Sequence, residues 1–153
     1  MENDEANRLI ANLDRAFKDT TRPEPLTEFI GSYNHEQVRS FNNTDWENAT
    51  YSSFMDGYEG WIICPAETKV YLTPKLLRIL VLRLNGKAQE AAVDNLDHQF
   101  LFDLERPEVF SLLTYPQMKA IIDAVAYVDR VFWFLSDNDA SSNLIRRWGF
   151  RAS

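Results

Sequence analysis

The sequence predicts a mainly α-helical fold: a single globular domain over residues 1–153, built as a bundle of about five to seven helices. Apolar residues recur at helical spacing in several segments, and residue pairs typical of helix starts precede three predicted helices. A hydrophobic fraction of 45% in 153 residues is enough for one buried core. Besides helices, we expect at most a short two-stranded β element near Trp61–Leu72.

The first helix is predicted from apolar residues close to the N-terminus. Their spacing of i, i+3, i+4 and i+7 is that of an amphipathic helix of about four turns. The residues are Ala6, Leu9, Ile10, Leu13, Ala16 and Phe17. The two prolines of Arg22–Pro25 cannot continue a helix, so this segment is predicted to be a loop.

Two further helices are predicted before residue 60. A short one covers Tyr33–Phe41. Thr44 and Glu47 then have the spacing of a capping box, in which each side chain bonds the backbone N–H of the other residue. This pair predicts a helix over Asp45–Asp56, which Gly57 ends.

The middle of the chain is predicted to hold the central helix of the core. Trp61–Cys64 is short, rich in β-branched residues and followed by a proline, so it is interpreted as a brief strand or a buried extended segment. Tyr71–Leu72 is its candidate partner strand. Thr73–Pro74 is typical of a helix start, and the following helix, Lys75–Leu84, is apolar almost all round.

The C-terminal third is predicted to be helical as well. Short helical pieces are expected at Ala88–Val93 and Pro107–Leu112. Thr114–Gln117 is a second capping box and opens a long helix. The apolar face of that helix consists of Met118, Ile121, Ile122, Val125 and Val128. A last helix is predicted over Asp139–Trp148.

Charge is distributed unevenly along the chain. Two stretches, Ser40–Thr68 and Ala88–Glu105, contain ten acidic residues and no Lys or Arg. Because the net charge is −7, the remaining residues have a net charge of +3 by subtraction. A surface that is acidic and aromatic attracts and holds a basic protein partner, so we expect one. A pI near 4.8 argues against nucleic acid as a partner.

The first acidic stretch also provides the predicted partner-binding site. On the helix predicted over Asp45–Asp56, Trp46 and Tyr51 lie about 140° apart, so both cannot face the core equally unless a neighbouring element covers one of them. Either both faces are covered, or the Tyr51 face is exposed beside carboxylates. The second interpretation gives a charged ring with tyrosine anchors, and its residues are Asp45, Glu47, Tyr51, Met55, Asp56, Tyr58 and Glu59.

The sequence contains no recognisable catalytic or metal-binding motif. Its two histidines, His35 and His98, are far apart, and Cys64 is the single cysteine. No Gly-rich phosphate loop, nucleophile elbow or His-Glu-x-x-His motif is present. We therefore expect a protein without catalytic residues, without a metal site and without a cofactor.

The chain is expected to reside in the cytoplasm and not in a membrane. Its first residues are acidic, unlike those of a signal peptide. The longest apolar run, Leu76–Leu84, is interrupted by Arg78 and Arg83, so no transmembrane helix is predicted.

The order of several short patterns resembles a family of small bacterial proteins defined as a domain of unknown function. The resembling pieces are Ala16-Phe17, Phe41 with Trp46, Trp61–Cys64 before Pro65, Tyr71–Pro74 and Leu113–Gln117. Together they span about residues 10–130, although Thr73 separates Leu72 from Pro74 where the family has Leu directly before Pro. The resemblance implies a helical fold and a bacterial origin, and it implies no activity.

The leading functional hypothesis is a non-enzymatic protein-binding protein. Most concretely, it is an immunity-type inhibitor that neutralises a basic bacterial toxin domain through its acidic and aromatic face. The alternatives are an adaptor or homodimeric interaction module, and an enzyme with an unrecognised site. A cleft that joins His98 to several carboxylates would favour the enzyme, whereas a flat acidic face would favour binding.

Overall fold

The computed structural model describes residues 2–27, 35–48, 64–83, 106–131 and 145–146. These residues are mainly helical and contain no strand, which confirms the predicted class. The helices are α1 (Glu2–Ala16), α2 (His35–Asn43), α3 (Ala66–Arg83), α4 (Pro107–Phe110) and α5 (Tyr115–Val131), with a 3-10 turn at Trp46–Asn48. The described ranges thus hold four helices of nine or more residues, fewer than the five to seven predicted for the whole chain, and one single-turn helix.

The core lies between α1, α3 and α5, each of which packs against the other two. Helix α1 buries one stripe of residues at helical spacing, including Ala6, Leu9 and Leu13. Helix α5 buries Ile121 and Val125 from the face that the sequence predicts. Helix α3 also contacts α4 and the 3-10 turn, so it has the central position that the sequence predicts for it.

Helix α3 begins earlier than predicted. It starts at Ala66 and continues through Pro74, so Tyr71–Leu72 is helical and the predicted pairing of this segment as a β-strand is wrong. Proline inside a helix removes one backbone hydrogen bond and typically costs about 3 kcal/mol. Here Leu72 and Thr73 are fully buried, and burial of this face outweighs the local preference of the Thr-Pro pair for a helix start.

The hydroxyl of Thr73 takes part in the backbone bonding around this proline. It donates to the carbonyl of Lys69, four residues earlier, at 2.6 Å. Threonine side chains can form this bond within a helix. The true start of α3 follows Pro65, whose carbonyl accepts the backbone N–H groups of Thr68 and Lys69 at 3.0 and 3.1 Å. The proline that starts the helix is therefore Pro65 and not Pro74.

The start of α5 is the capping box that the sequence predicts. The backbone N–H of Thr114 donates to the Gln117 side-chain oxygen at 2.9 Å, and the backbone N–H of Gln117 donates to the Thr114 hydroxyl at 3.3 Å. The Gln117 amide also donates to the carbonyl of Ala16 at 3.3 Å. Because Ala16 is the last residue of α1, one side chain caps α5 and satisfies a terminal carbonyl of α1.

The loop after α1 is fixed to two helices by polar contacts. Asn42 of α2 bonds both backbone groups of Thr27 at 3.0 Å, its oxygen accepting the N–H and its amide donating to the carbonyl. Arg22 donates to the carbonyl of Asn42 at 2.7 Å, near the end of α2 where carbonyls lack helical partners. The hydroxyl of Thr68 in α3 donates to the carbonyl of Leu26. This loop contains a cis peptide bond between Glu24 and Pro25.

The capping box predicted at Thr44 and Glu47 has a different geometry in the structure. The Thr44 hydroxyl donates to the carbonyl of Ser40 at 2.6 Å, at the end of α2, and the chain forms one 3-10 turn at Trp46–Asn48. In that turn the Asn48 amide donates to the Asp45 carboxylate at 2.8 Å. The remainder of the helix predicted over Asp45–Asp56 lies outside the described residues.

Several other predicted elements also fall wholly or mainly outside the described ranges. They are Trp61–Ile63 of the predicted strand, the helical piece Ala88–Val93 and most of Asp139–Trp148. Cys64 is described and is buried, as predicted. No helix in the described part of the chain has the length and apolar character needed to cross a membrane.

Candidate functional site

Two residues of the predicted partner-binding site, Asp45 and Glu47, belong to the described part of the chain, and both are exposed. The other five, Tyr51, Met55, Asp56, Tyr58 and Glu59, lie outside it. The structure therefore defines where the first acidic stretch is attached to the helical core. The remainder of the site stays a prediction.

Trp46 attaches this stretch to the core. Its side chain is 1% exposed, and its ring meets that of Phe41 edge-on, with the centroids 5.4 Å apart. The indole N–H donates to the carbonyl of Phe41 at 3.0 Å. Phe41 is in the last turn of α2, so its carbonyl has no later N–H within the helix to accept. The Trp46 face of the predicted helix is thus a core face, while the residues on either side of Trp46 remain exposed.

Glu47 lies at the centre of a polar group that we call the Glu47 cluster, formed with Tyr71, Lys75 and Arg78 of α3. The Lys75 ammonium is 3.1 Å from Glu47 Oε1, and the Tyr71 hydroxyl donates to the same oxygen at 3.3 Å. The Arg78 guanidinium donates to the Glu47 backbone carbonyl at 3.0 Å. These contacts hold the 3-10 turn against α3, while the Glu47 side chain stays 68% exposed.

Tyr71 is the buried member of the Glu47 cluster. Burial, and then the neighbouring negative charge of Glu47, raise the pKa of the Tyr71 phenol, while the positive charge of Arg22 acts in the opposite direction. The phenol therefore stays protonated and acts as a hydrogen-bond donor to Glu47. The Lys75 ammonium also lies 4.3 Å from the centroid of the Tyr71 ring, a cation–π contact.

A cleft of about 300 Å³ lies beside this cluster, between α1, α3 and the 3-10 turn. Its charged lining consists of Asp14, Lys18, Glu47, Lys75 and Arg78. Both signs of charge are present, so the cleft is not an acidic surface. The first acidic stretch has no Lys or Arg of its own, but Lys75 and Arg78 of α3 lie next to it in space. Charge that is separated along the sequence is therefore not separated in space.

A second concave surface, which we call the proline groove, lies on the other side of the loop after α1. It has a volume of about 870 Å³ and is lined by Pro23 and Pro25 of the loop, Pro65 and Val70 around the start of α3, and Leu112 after α4. Glu24 and Glu67 also line it, and both are exposed. The last acidic residue of the Ser40–Thr68 stretch, Glu67, thus lies in this groove.

Sequence reasoning missed the partners of Glu47 for an identifiable reason. Tyr71, Lys75 and Arg78 are spaced i, i+4 and i+7, which places them on one helix face. The helix predicted from the sequence begins after Thr73, so it excludes Tyr71 from the face that holds Lys75 and Arg78. No local sequence pattern predicts the proline groove, because its lining residues come from three segments that are far apart in the sequence.

Within the described ranges, no three His, Cys, Asp or Glu side chains lie together as metal ligands would. Comparison with known proteins finds no family model, curated protein or solved structure that matches the chain. The resemblance to a family of small bacterial proteins therefore stays a prediction.

Proposed function

We propose that this protein is a non-enzymatic binding protein whose acidic segments hold a basic protein partner. In its most concrete form it is an immunity-type inhibitor of a basic bacterial toxin domain. The charge distribution along the sequence carries this proposal: Ser40–Thr68 and Ala88–Glu105 contain ten acidic residues and no Lys or Arg, and the net charge of the chain is −7. Negative charge on a protein increases its rate of encounter with a partner of the opposite sign.

The attachment of the first acidic segment supports a binding role. Trp46 is buried and Glu47 is bonded to α3, so Asp45 and Glu47 are presented from a fixed turn. A side chain that is already ordered loses less conformational freedom on binding than a mobile one. Because the Glu47 side chain is 68% exposed, its carboxylate can accept a further hydrogen bond from a lysine or arginine of the partner while Oε1 stays paired with Lys75.

The Glu47 cluster also modifies the predicted charged ring. Lys75 and Arg78 reduce the negative potential near Glu47. We therefore assign Glu47 mainly the role of orienting the bound partner. The attraction at long range is assigned to the other carboxylates of the acidic stretches, of which Asp56 and Glu59 belong to the predicted site. Glu47 should therefore affect mainly the rate of dissociation, and the other acids mainly the rate of association.

The proposal is tested by retention of a partner on the immobilised chain. Lysate of the source organism is passed over the protein at low and at high salt, and the retained proteins are identified by mass spectrometry. We expect one basic protein that is held at low salt and weakened at high salt, because salt screens exposed charges over a Debye length of about 10 Å at 0.1 M.

A matched bait distinguishes site-specific binding from general attraction to an acidic protein. Asp56→Lys with Glu59→Lys and the control Asp4→Lys with Asp19→Lys change the net charge equally. Asp4 and Asp19 are exposed on or next to α1. The first bait should lose the partner and the control should retain it. Equal retention by both baits, or no retained basic protein at all, would count against the proposal.

A further inference from the structure

The lining of the proline groove combines apolar side chains with two exposed carboxylates, Glu24 and Glu67, which we call the rim acids. Its apolar surface is provided by three prolines together with Val70 and Leu112, and Leu112 is 51% exposed. A large apolar side chain that is half exposed in a concave site is a typical anchor point for another molecule. The groove is also large enough, at about 870 Å³, to accept more than one side chain.

The walls of the groove are held in place by hydrogen bonds to α2 and α3. The loop carrying Pro23 and Pro25 is bonded to α2 through Arg22 and Asn42, and to α3 through the contact of Thr68 with Leu26. A ligand that enters therefore meets a formed surface. This lowers the conformational cost of binding, since little of the protein has to be ordered.

The charge available to a ligand in this groove is negative. Arg22 is the one cation among the described residues of the lining, and its terminal nitrogens donate to the carbonyls of Asn42 and Thr44 at 2.7 and 3.4 Å. Its Nε is 3.5 Å from Glu24, whose side chain is 80% exposed. Glu67 is exposed in the first turn of α3, where its charge also favours the helix dipole. Both carboxylates are therefore exposed, and Arg22 offsets part of the charge of Glu24 while its terminal nitrogens bond the end of α2 and Thr44.

We propose that the proline groove is a docking site for a basic segment of a partner protein that carries alternating cationic and apolar side chains. The apolar side chain packs against Val70 and Leu112, and the cations pair with Glu24 and Glu67. This inference rests on the proposed function, because it places part of the same basic partner on a second surface. Glu67 closes the first acidic stretch, so the two surfaces are joined by one segment of chain.

The test uses a defined peptide and the full chain. Acetyl-Lys-Leu-Lys-Leu-amide is added while the methyl groups of the protein are observed by NMR, and acetyl-Glu-Leu-Glu-Leu-amide serves as the peptide of opposite charge. The basic peptide should shift the methyl signals of Val70 and Leu112, and the acidic one should not. Replacement of both rim acids, Glu24→Gln with Glu67→Gln, should weaken the peptide about fivefold. The control, Asp4→Asn with Asp19→Asn, should leave the affinity unchanged.

Three results would overturn the docking site. In the first, the basic peptide shifts signals elsewhere but not those of Val70 and Leu112. In the second, the basic and the acidic peptide shift the same signals equally. In the third, the Val70 and Leu112 signals change with protein concentration alone, which would identify a second copy of the chain as the occupant. Leu112→Ser, at an exposed position, provides an independent variant that should still fold. A partner retained equally by this variant would exclude the groove while leaving the proposed function in place. Failure to retain any basic protein would contradict the proposed function without affecting the peptide result.

Discussion

Replacement of Trp46 by phenylalanine tests the attachment of the acidic stretch to the core. Trp46 is 1% exposed, packs edge-on against Phe41 and donates its indole N–H to the Phe41 carbonyl. Phenylalanine keeps an aromatic ring at this position but removes the donor and part of the buried volume. The change therefore probes both the packing and the capping of α2 by a single side chain.

The expected loss follows from these two contributions. The smaller ring removes the equivalent of roughly two buried methylene groups, about 1.6 kcal/mol at about 0.8 kcal/mol each. The lost hydrogen bond contributes about 1 kcal/mol, and more if the Phe41 carbonyl remains buried without a donor. Together they predict a decrease of about 2.5 to 3 kcal/mol in the free energy of unfolding.

Urea unfolding followed by circular dichroism measures this decrease without depending on tryptophan fluorescence. The control is Tyr115→Phe, which also removes a polar group from an aromatic residue but at a side chain that is 58% exposed. It should change the free energy of unfolding by no more than about 0.5 kcal/mol. A Trp46→Phe variant as stable as this control would refute the view that Trp46 fixes the turn to the core.

Other predictions follow from the same structure. Leu76→Ala, at a fully buried position of α3, should cost about 2 to 5 kcal/mol in urea unfolding, whereas Leu112→Ala at a half-exposed position should cost less than about 1 kcal/mol. Thr114→Ala should cost about 1 kcal/mol by the same measurement, because it removes the hydroxyl that accepts the Gln117 backbone N–H. The raised pKa of Tyr71 means that the folded state prefers the protonated phenol. Stability should therefore fall as pH rises above about 10, the unfolded value. Tyr71→Phe should lack that part of the pH dependence in unfolding curves at alkaline pH.

The extent to which the fold follows from sequence differs between its helices. Helix α1 and helix α5 have a polar and an apolar face, and α5 also has a capping box, so spacing and end signals agree and both are predicted correctly. Helix α3 is the opposite case. Its Thr73–Pro74 pair is a strong local signal for a start, but burial of the preceding turn decides the outcome, and no local pattern reports tertiary burial.

The candidate site shows the same limit. The exposure of Asp45 and Glu47 and the burial of Trp46 agree with an amphipathic segment that has one core face. The pairing of Glu47 with Lys75 could not be predicted, because it depends on how α3 packs against a turn 28 residues earlier in the sequence. Charge separation along a chain is therefore a guide to net charge and not to the local potential of a surface.

The rate of association with the retained partner is the most direct test of the central claim, that carboxylates of the first acidic stretch attract and hold a basic protein. It should be measured at several salt concentrations for the natural chain, for Asp56→Lys with Glu59→Lys, and for Asp4→Lys with Asp19→Lys. We expect the first variant to associate several-fold more slowly and with a weaker dependence on salt, while the control stays close to the natural chain. Equal rates for the two variants would contradict the claim and would remove this stretch as the binding face.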